Sequence, residues 1–356
     1  MTKTYINGIS CISAQKTFSG DFLTDITENQ SDNVLYAIEP SYKEHIPAAS
    51  IRRMAKGVKM SIIAGTNALK EAQISIPESI IVGTGMGCLQ DSEKFLKAIL
   101  DNQEQHLTPT AFIQSTHNTV AGQIALNLQC KGLNFTYVNG AISFESALLD
   151  AKMQIEQHLQ NTILVGGVDE HSPHTLHLYE LAKIIKRKED CPDSVFAPKS
   201  KGVILSEGAT FFVISNKKAE NSYAELIDVT MRNSLDTNEI ANFTIDFLTR
   251  NKLTINDIDI IISGKNTNIE DDTYFEAFEQ TLPYVPKLAY KHLSGEYYTA
   301  SAFGMWTACN ILKTKQLPTS LINQQTQSIQ PQNIKYILLY NQFRGKDHSL
   351  LLLKNI

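Results

Sequence analysis

The sequence lacks the marks of several protein classes. No run of 18 apolar residues occurs in its 356 residues, so no simple membrane-spanning helix is expected. The net charge of −5 leaves no basic excess for a broad nucleic-acid footprint. Its five cysteines (Cys11, Cys88, Cys130, Cys191, Cys309) are odd in number, scattered and without C-x-x-C spacing, which argues against a disulfide framework or a zinc site. The first residues also lack the apolar core of a signal peptide, so a cytoplasmic protein with reduced thiols is expected. There is no Walker loop, G-x-S-x-G elbow or H-E-x-x-H motif, and no cofactor or metal is expected. The basic clusters Arg52-Arg53 and Lys186-Arg187-Lys188 read as solvated faces.

What is present is an approximate duplication, in a chain 42 % hydrophobic and long enough for one large core or two fused ones. A helical pattern over 55–72 leads to an apolar strand at 79–85; a helix over 141–158 and strands at 162–167 and 209–215 follow. The order then repeats as a helix over 238–251, a strand at 257–264, a helix over 298–313 and strands at 335–340 and 349–353. Strands that are apolar throughout have both faces covered, which predicts a parallel-rich sheet between helix layers. Two similar α/β halves, 1–220 and 221–356, are expected to pack about a pseudo-twofold axis and share one core.

The most informative stretch is 135–151. It predicts a strand, a tight Asn139-Gly140 turn, and a helix whose apolar positions include Leu148, Leu149, Met153 and Ile155. A helix start beyond such a junction favours a thiolate and a developing oxyanion. The residue there is Ala141, which does no covalent chemistry.

The segments Thr4-Tyr-Ile-Asn-Gly-Ile-Ser, Arg52-Arg-Met, Val82-Gly-Thr-Gly-Met-Gly, Thr108-Pro-Thr-Ala-Phe-Ile, Asn118-Thr-Val-Ala-Gly-Gln, Gly166-Gly-Val-Asp-Glu and Gly202-Val-Ile-Leu-Ser-Glu-Gly-Ala follow one another along the chain. In that order they resemble the β-ketoacyl synthases of the thiolase-fold superfamily, over almost the full chain. The resemblance implies a thiolase-like fold layered αβαβα. It also implies a nucleophilic cysteine that carries an acyl thioester and two histidines that assist decarboxylation of a malonyl thioester. Carried across, the cysteine falls on Ala141. The first histidine, in a His-Gly-Thr-x-Thr turn, falls on Ser263, and the second, in Lys-x-x-x-Gly-His, on Glu296, with Lys291 retained. The glycine-rich gate shrinks to Asn341-Gln-Phe-Arg-Gly345. The Phe-Asp…Arg-Asp-Gly motif keeps Phe196 and Gly202, with Ala197 and Ser200 in place of its Asp and Arg.

With all three catalytic positions changed, no condensation by this chain alone is expected, since a carboxylate at 296 opposes a developing enolate. The resemblance then implies a silent subunit akin to a chain-length factor. Such a subunit pairs through 116–138 with an active ketosynthase, or with itself, serves an acyl carrier protein, and shapes an acyl pocket in fatty acid, polyketide or aryl-polyene-type synthesis. Candidate pocket residues are Ile142, Phe144, Phe196 and Phe343; Tyr297, Tyr298, Phe303 and Trp306 read as core or pocket wall. The alternatives are a self-sufficient acyltransferase or hydrolase using Ser143 with Glu296 or His292 as base, or a module that holds an acyl chain or carrier protein. His292 reads more simply as a loop residue. His171, His174 and His177 have a metal-like spacing on what reads as a Pro-interrupted loop, and surface histidines are expected there. Gly83-Thr-Gly-Met-Gly87 is a tight strand exit, since its spacing is not that of a dinucleotide loop.

Overall fold

The apolar runs fold as strands in a computed structural model that describes residues 2–18, 22–27, 32–191, 200–322 and 333–356. Phe196 and Ala197 lie outside the described residues. The first five strands are β1 (Tyr5–Ile12), β2 (Ser79–Gly83), β3 (Leu133–Tyr137), β4 (Thr162–Asp169) and β5 (Gly208–Ser215). The next five are β6 (Ala224–Asn233), β7 (Ile260–Ser263), β8 (Lys287–Ala289), β9 (Tyr336–Phe343) and β10 (Asp347–Lys354). They join in one sheet of order β3-β2-β4-β5-β1-β6-β10-β9-β7-β8. Numbered within its own set of five, each side runs third, second, fourth, fifth, first from the outer edge inward, so the order reads the same from either edge. The division at 220/221 lies in the connection between β5 and β6.

The sheet is mixed, where the apolar runs predicted a parallel-rich one. β2 pairs parallel with β3 and β4, and β7 with β8 and β9. The ladders of β1 with β5, β4 with β5, β6 with β10 and β9 with β10 are antiparallel. A continuously apolar strand reports two covered faces, and β9 and β10, joined by a short hairpin turn, are covered on both without being parallel.

Five layers follow from which helices cover which face. Helices α2 (Lys56–Glu71) and α5 (Thr119–Leu128) pack on the outer face of the first five strands through Ile62, Ile63, Val120 and Ile124. Helices α8 (Ile240–Arg250) and α9 (Ile269–Thr281) cover the outer face of the last five through Phe243, Phe247, Phe275 and Phe278. Between them lie α6 (Ser143–Glu156) and α11 (Ser301–Thr314), whose Phe144, Leu148, Phe303 and Ile311 share one cluster with strands of both sets. A buried phenylalanine such as Phe144 or Phe303 contributes on the order of 2–3 kcal/mol of apolar burial. The remaining helices are α1 (Ala48–Ile51), α3 (Leu89–Asp101), α4 (Pro109–Ser115), α7 (Pro173–Leu181) and α10 (Lys291–Ser294). No helix among the described residues is long and apolar enough to cross a membrane. All five cysteines are free thiols, four of them buried.

Two local expectations are corrected. The histidine stretch is not a loop: Pro173 takes the first turn of α7, where its missing N–H costs nothing, and His171 is buried against Tyr36 while only His174 and His177 are exposed. No metal-binding group of side chains forms among the described residues. Lys186, read as part of a solvated cluster, is 1 % exposed. Its Nζ donates to the carbonyl of Ser200 at 3.1 Å, to Ser200 Oγ at 2.7 Å and to the Thr267 carbonyl at 2.7 Å. Burial lowers its pKa, and three neutral acceptors stand in for the lost water. Arg187 and Lys188 remain exposed.

Candidate functional site

The junction forms as the sequence predicts, with one added turn. β3 ends at Tyr137, Gly140 takes φ +55°, and a 3-10 turn over Gly140–Ile142 hands the chain to α6. That left-handed φ is the reason for glycine after Asn139. Ala141 is 2 % exposed. The Asp347 carboxylate lies beside this helix start: its Oδ2 is 3.4 Å from where a side chain on Gly140 would begin, and its Oδ1 accepts from Asn233 Nδ2 at 2.9 Å. Burial raises the Asp347 pKa, and the nearby Ala141 amide opposes the rise.

Ser143 closes the same turn. Its Oγ accepts from the Asn139 N–H at 2.8 Å and donates to the Gly140 carbonyl at 2.7 Å, and the residue is fully buried. Its proton is thereby committed to a carbonyl, an arrangement of a capping hydroxyl.

Of the other two carried-over positions, Glu296 sits in a polar network and Ser263 does not. Ser263, at the end of β7, is buried, and its Oγ has no hydrogen-bond partner among the described residues. Glu296 Oε2 accepts from Lys291 Nζ at 2.8 Å and from Asn266 Nδ2 at 2.8 Å. Asn266 and Asn268 in turn reach Asp271 Oδ2 at 3.1 and 2.9 Å. Lys291 and Glu296 side chains are 1 % and 3 % exposed. Burial raises the Glu296 pKa above the ordinary carboxylate value, opposed by the charge and hydrogen bond of Lys291. Glu296 thus presents an acceptor already holding a cation.

Two acidic residues at the end of β4 support the surroundings. Asp169 Oδ1 accepts from the Gly85 N–H at 2.8 Å, and its Oδ2 from the Thr299 N–H and Oγ1, both at 2.9 Å. One carboxylate thus ties the glycine-rich strand exit to the approach to α11. Glu170 accepts from the Gly57 N–H at 2.6 Å and the Gln90 N–H at 2.9 Å, capping the starts of α2 and α3 together. Burial pushes its pKa up to about 7.

Two cavities adjoin this region. One of about 190 Å³ is lined by Met86, Asp169, Glu170, His171, Leu205, Glu296, Tyr297, Tyr298, Phe343 and Arg344 among others. A second, of about 500 Å³, is lined by Asn268, Asp271, Tyr274, Lys346 and Asp347, and shares Tyr298, Phe343 and Arg344 with the first. Tyr298 is the partition between them; its ring lies 5.4 Å from that of Phe343 and fills the space a side chain at Gly85 would need.

Of the residues singled out in the sequence, Glu296, Tyr297, Tyr298 and Phe343 line these cavities. Ala141, Ile142, Ser143, Phe144 and Ser263 line neither. Phe144 packs on Phe212 at 5.7 Å, and Phe303 and Trp306 pack together in the central layer, Trp306 also on Phe22. His292 sits in α10 with its Nε2 2.6 Å from the Ser320 carbonyl, and burial lowers its pKa to about 4. Sequence reasoning carried Met86 and Arg344 only inside motifs, with no part in a site, and missed Asp347. Asp347 had a faint signal, a charge two residues beyond a shortened glycine gate.

Known proteins resemble this chain in sequence and in fold. The 3-oxoacyl-[acyl-carrier-protein] synthase 2 of Staphylococcus aureus is 22 % identical over 199 residues, 52 % of this chain and 49 % of the relative. The chain thus spans about half the length of the curated relatives it matches. A β-ketoacyl synthase from Burkholderia phymatum superposes with a TM-score of 0.82 at 17 % identity, covering 100 % of both chains. The ishigamide ketosynthase/chain length factor superposes at 0.79 and 15 % identity, over 100 % of this chain and 99 % of that one. The fold is therefore the thiolase-like fold of the ketosynthases. Residues 9–219 match the family described as β-ketoacyl synthase, N-terminal domain, and this chain belongs to that family.

Proposed function

We propose that this chain is a catalytically silent ketosynthase-like subunit that pairs with an active ketosynthase and shapes the acyl pocket during chain synthesis on an acyl carrier protein. The observation that carries the proposal is Ala141 at the nucleophile junction. The Asp347 carboxylate beside the junction, which opposes a developing oxyanion, and the Lys291–Asn266 clasp on Glu296, which presents an acceptor in place of a donor, support it. A surface suited to pairing supports it too. β3 is an edge strand with Leu133 and Phe135 exposed, and α5, which packs on it, exposes Leu126. An apolar sheet edge is a template for another chain. One of the structures with the same fold is a ketosynthase/chain length factor.

The alternative, acyl transfer or hydrolysis through Ser143, has the bonds of Ser143 Oγ against it. That hydroxyl holds the Asn139 N–H and the Gly140 carbonyl, while Glu296 is clasped by Lys291 and His292 Nε2 lies against the Ser320 carbonyl. The deciding experiment co-expresses the chain with a ketosynthase encoded beside it, then measures complex mass and condensation with malonyl-carrier protein. A one-to-one complex whose turnover depends on the partner's cysteine is expected. A lone homodimer that becomes acylated at Ser143 would overturn the proposal.

A further inference from the structure

The smaller cavity carries an inference that goes beyond a silent pairing role and does not depend on the partner. Both donors to Glu296 meet Oε2, and Oε1 receives none among the described residues. Glu296 is 3 % exposed and lines the 190 Å³ cavity. Oε1 opens on this cavity, so whatever fills the cavity, water included, is placed to donate to it. Much of the surrounding wall is apolar, with Met86, Leu89, Leu205 and Phe343. Asp169 and Glu170 bring two more carboxyl groups to the same wall, the pKa of the second pushed up to about 7, and Arg344 brings one guanidinium.

We infer that this cavity binds a compact neutral group of about seven non-hydrogen atoms that donates one O–H or N–H to Glu296 Oε1. The size follows from volume, since a cavity of about 150 Å³ takes benzene. The requirement for a donor follows from the free oxygen. Discrimination against anions follows from Glu296 and Asp169 on the wall, with Glu170 adding charge above about pH 7, set against the single guanidinium of Arg344, so a group ending in a carboxylate is disfavoured. Glu296 thus reverses the polarity a donating histidine would give this position.

Phenol and toluene have the same shape and size and differ in one O–H, so they isolate the donor. A dry cavity without an acceptor prefers toluene, the more apolar of the two. The test measures binding of phenol, toluene and benzoate to the full chain by ligand-observed NMR titration. Phenol is expected to bind at least fivefold more tightly than toluene, and benzoate not at all. Met86→Trp, which fills the cavity without touching the polar network, should abolish binding of both neutral probes. Glu296→Gln, checked for folding by circular dichroism, should bring the phenol preference to within twofold of parity. Toluene binding as tightly as phenol, benzoate binding, or phenol binding unchanged in Met86→Trp would each overturn the inference. So would a folded Glu296→Gln protein that keeps the preference. Should that variant not fold, the isosteric pair and Met86→Trp still decide.

Discussion

Removing the ammonium of Lys291 should expose the energetics of the site directly. Lys291→Met leaves the Glu296 carboxylate buried with Asn266 as its remaining donor. Breaking one side of a buried ion pair costs about 3–5 kcal/mol. For 356 residues the unfolding entropy is roughly 0.75 kcal/mol/K, so the melting temperature should fall by about 4–7 °C. The loss should depend on pH with a defined sign. The Glu296 pKa is already raised in the fold by burial, so its contribution is complete below the unfolded carboxylate value and is lost as pH rises. Without Lys291 the folded pKa rises further. The gap between wild type and variant should therefore stay level until the pH passes the wild-type folded value, itself above the ordinary carboxylate range, and then widen at up to about 1.4 kcal/mol per pH unit until it reaches the variant's. Lys291→Met with Glu296→Leu removes both charges, leaves Asn266 bonded to Asp271, and should recover most of the stability. Urea unfolding followed by fluorescence of Trp306, the single tryptophan and 5 % exposed, reads all three proteins. A single variant losing less than about 1 kcal/mol, a gap independent of pH, or a double variant no better than the single would refute the reasoning.

Four further outcomes are expected. Ala141→Cys should restore no condensation, and its thiol should alkylate slowly at pH 8, followed by intact mass, because the site is 2 % exposed and faces Asp347. Gly85→Ala should cost about 1–3 kcal/mol by overlap with the Tyr298 ring, and thermal unfolding should show Tyr298→Ala relieving it in the double variant. Because the folded Glu170 pKa of about 7 lies above the unfolded value, its contribution to stability should decline from about pH 4.5 to 7. Glu170→Gln should flatten that window while losing one of its two helix caps, about 1 kcal/mol, in urea titrations across pH. Phe135→Asp should weaken pairing in size-exclusion analysis while moving urea-unfolding stability by no more than about 0.5 kcal/mol, since that side chain is 46 % exposed.

Much of this protein was legible in its residues. Apolar runs and helical spacing located the principal strands and helices, and the repeated order pointed to two α/β halves, because burial on both faces leaves a periodic imprint on composition. The Asn139-Gly140 signal placed the junction, and Ala141 within it, because a left-handed turn selects its own residue types. Strand direction was not legible: β9 and β10 are as apolar as parallel strands, and their antiparallel pairing rests on the hairpin that joins them. The burial of Lys186 and the start of α7 at Pro173 were hidden for a related reason, since a basic cluster or a proline reads the same on a surface and in a fold. The site itself belongs to tertiary structure. Lys291 and Glu296 are five residues apart, but Asn266 reaches Glu296 from a different turn and Asp347 comes beside the junction from the far end of the chain. Sequence determines which groups are available, whereas contacts across about 200 residues, made only when the layers close, decide which of them are already satisfied and which oxygen is left facing a cavity.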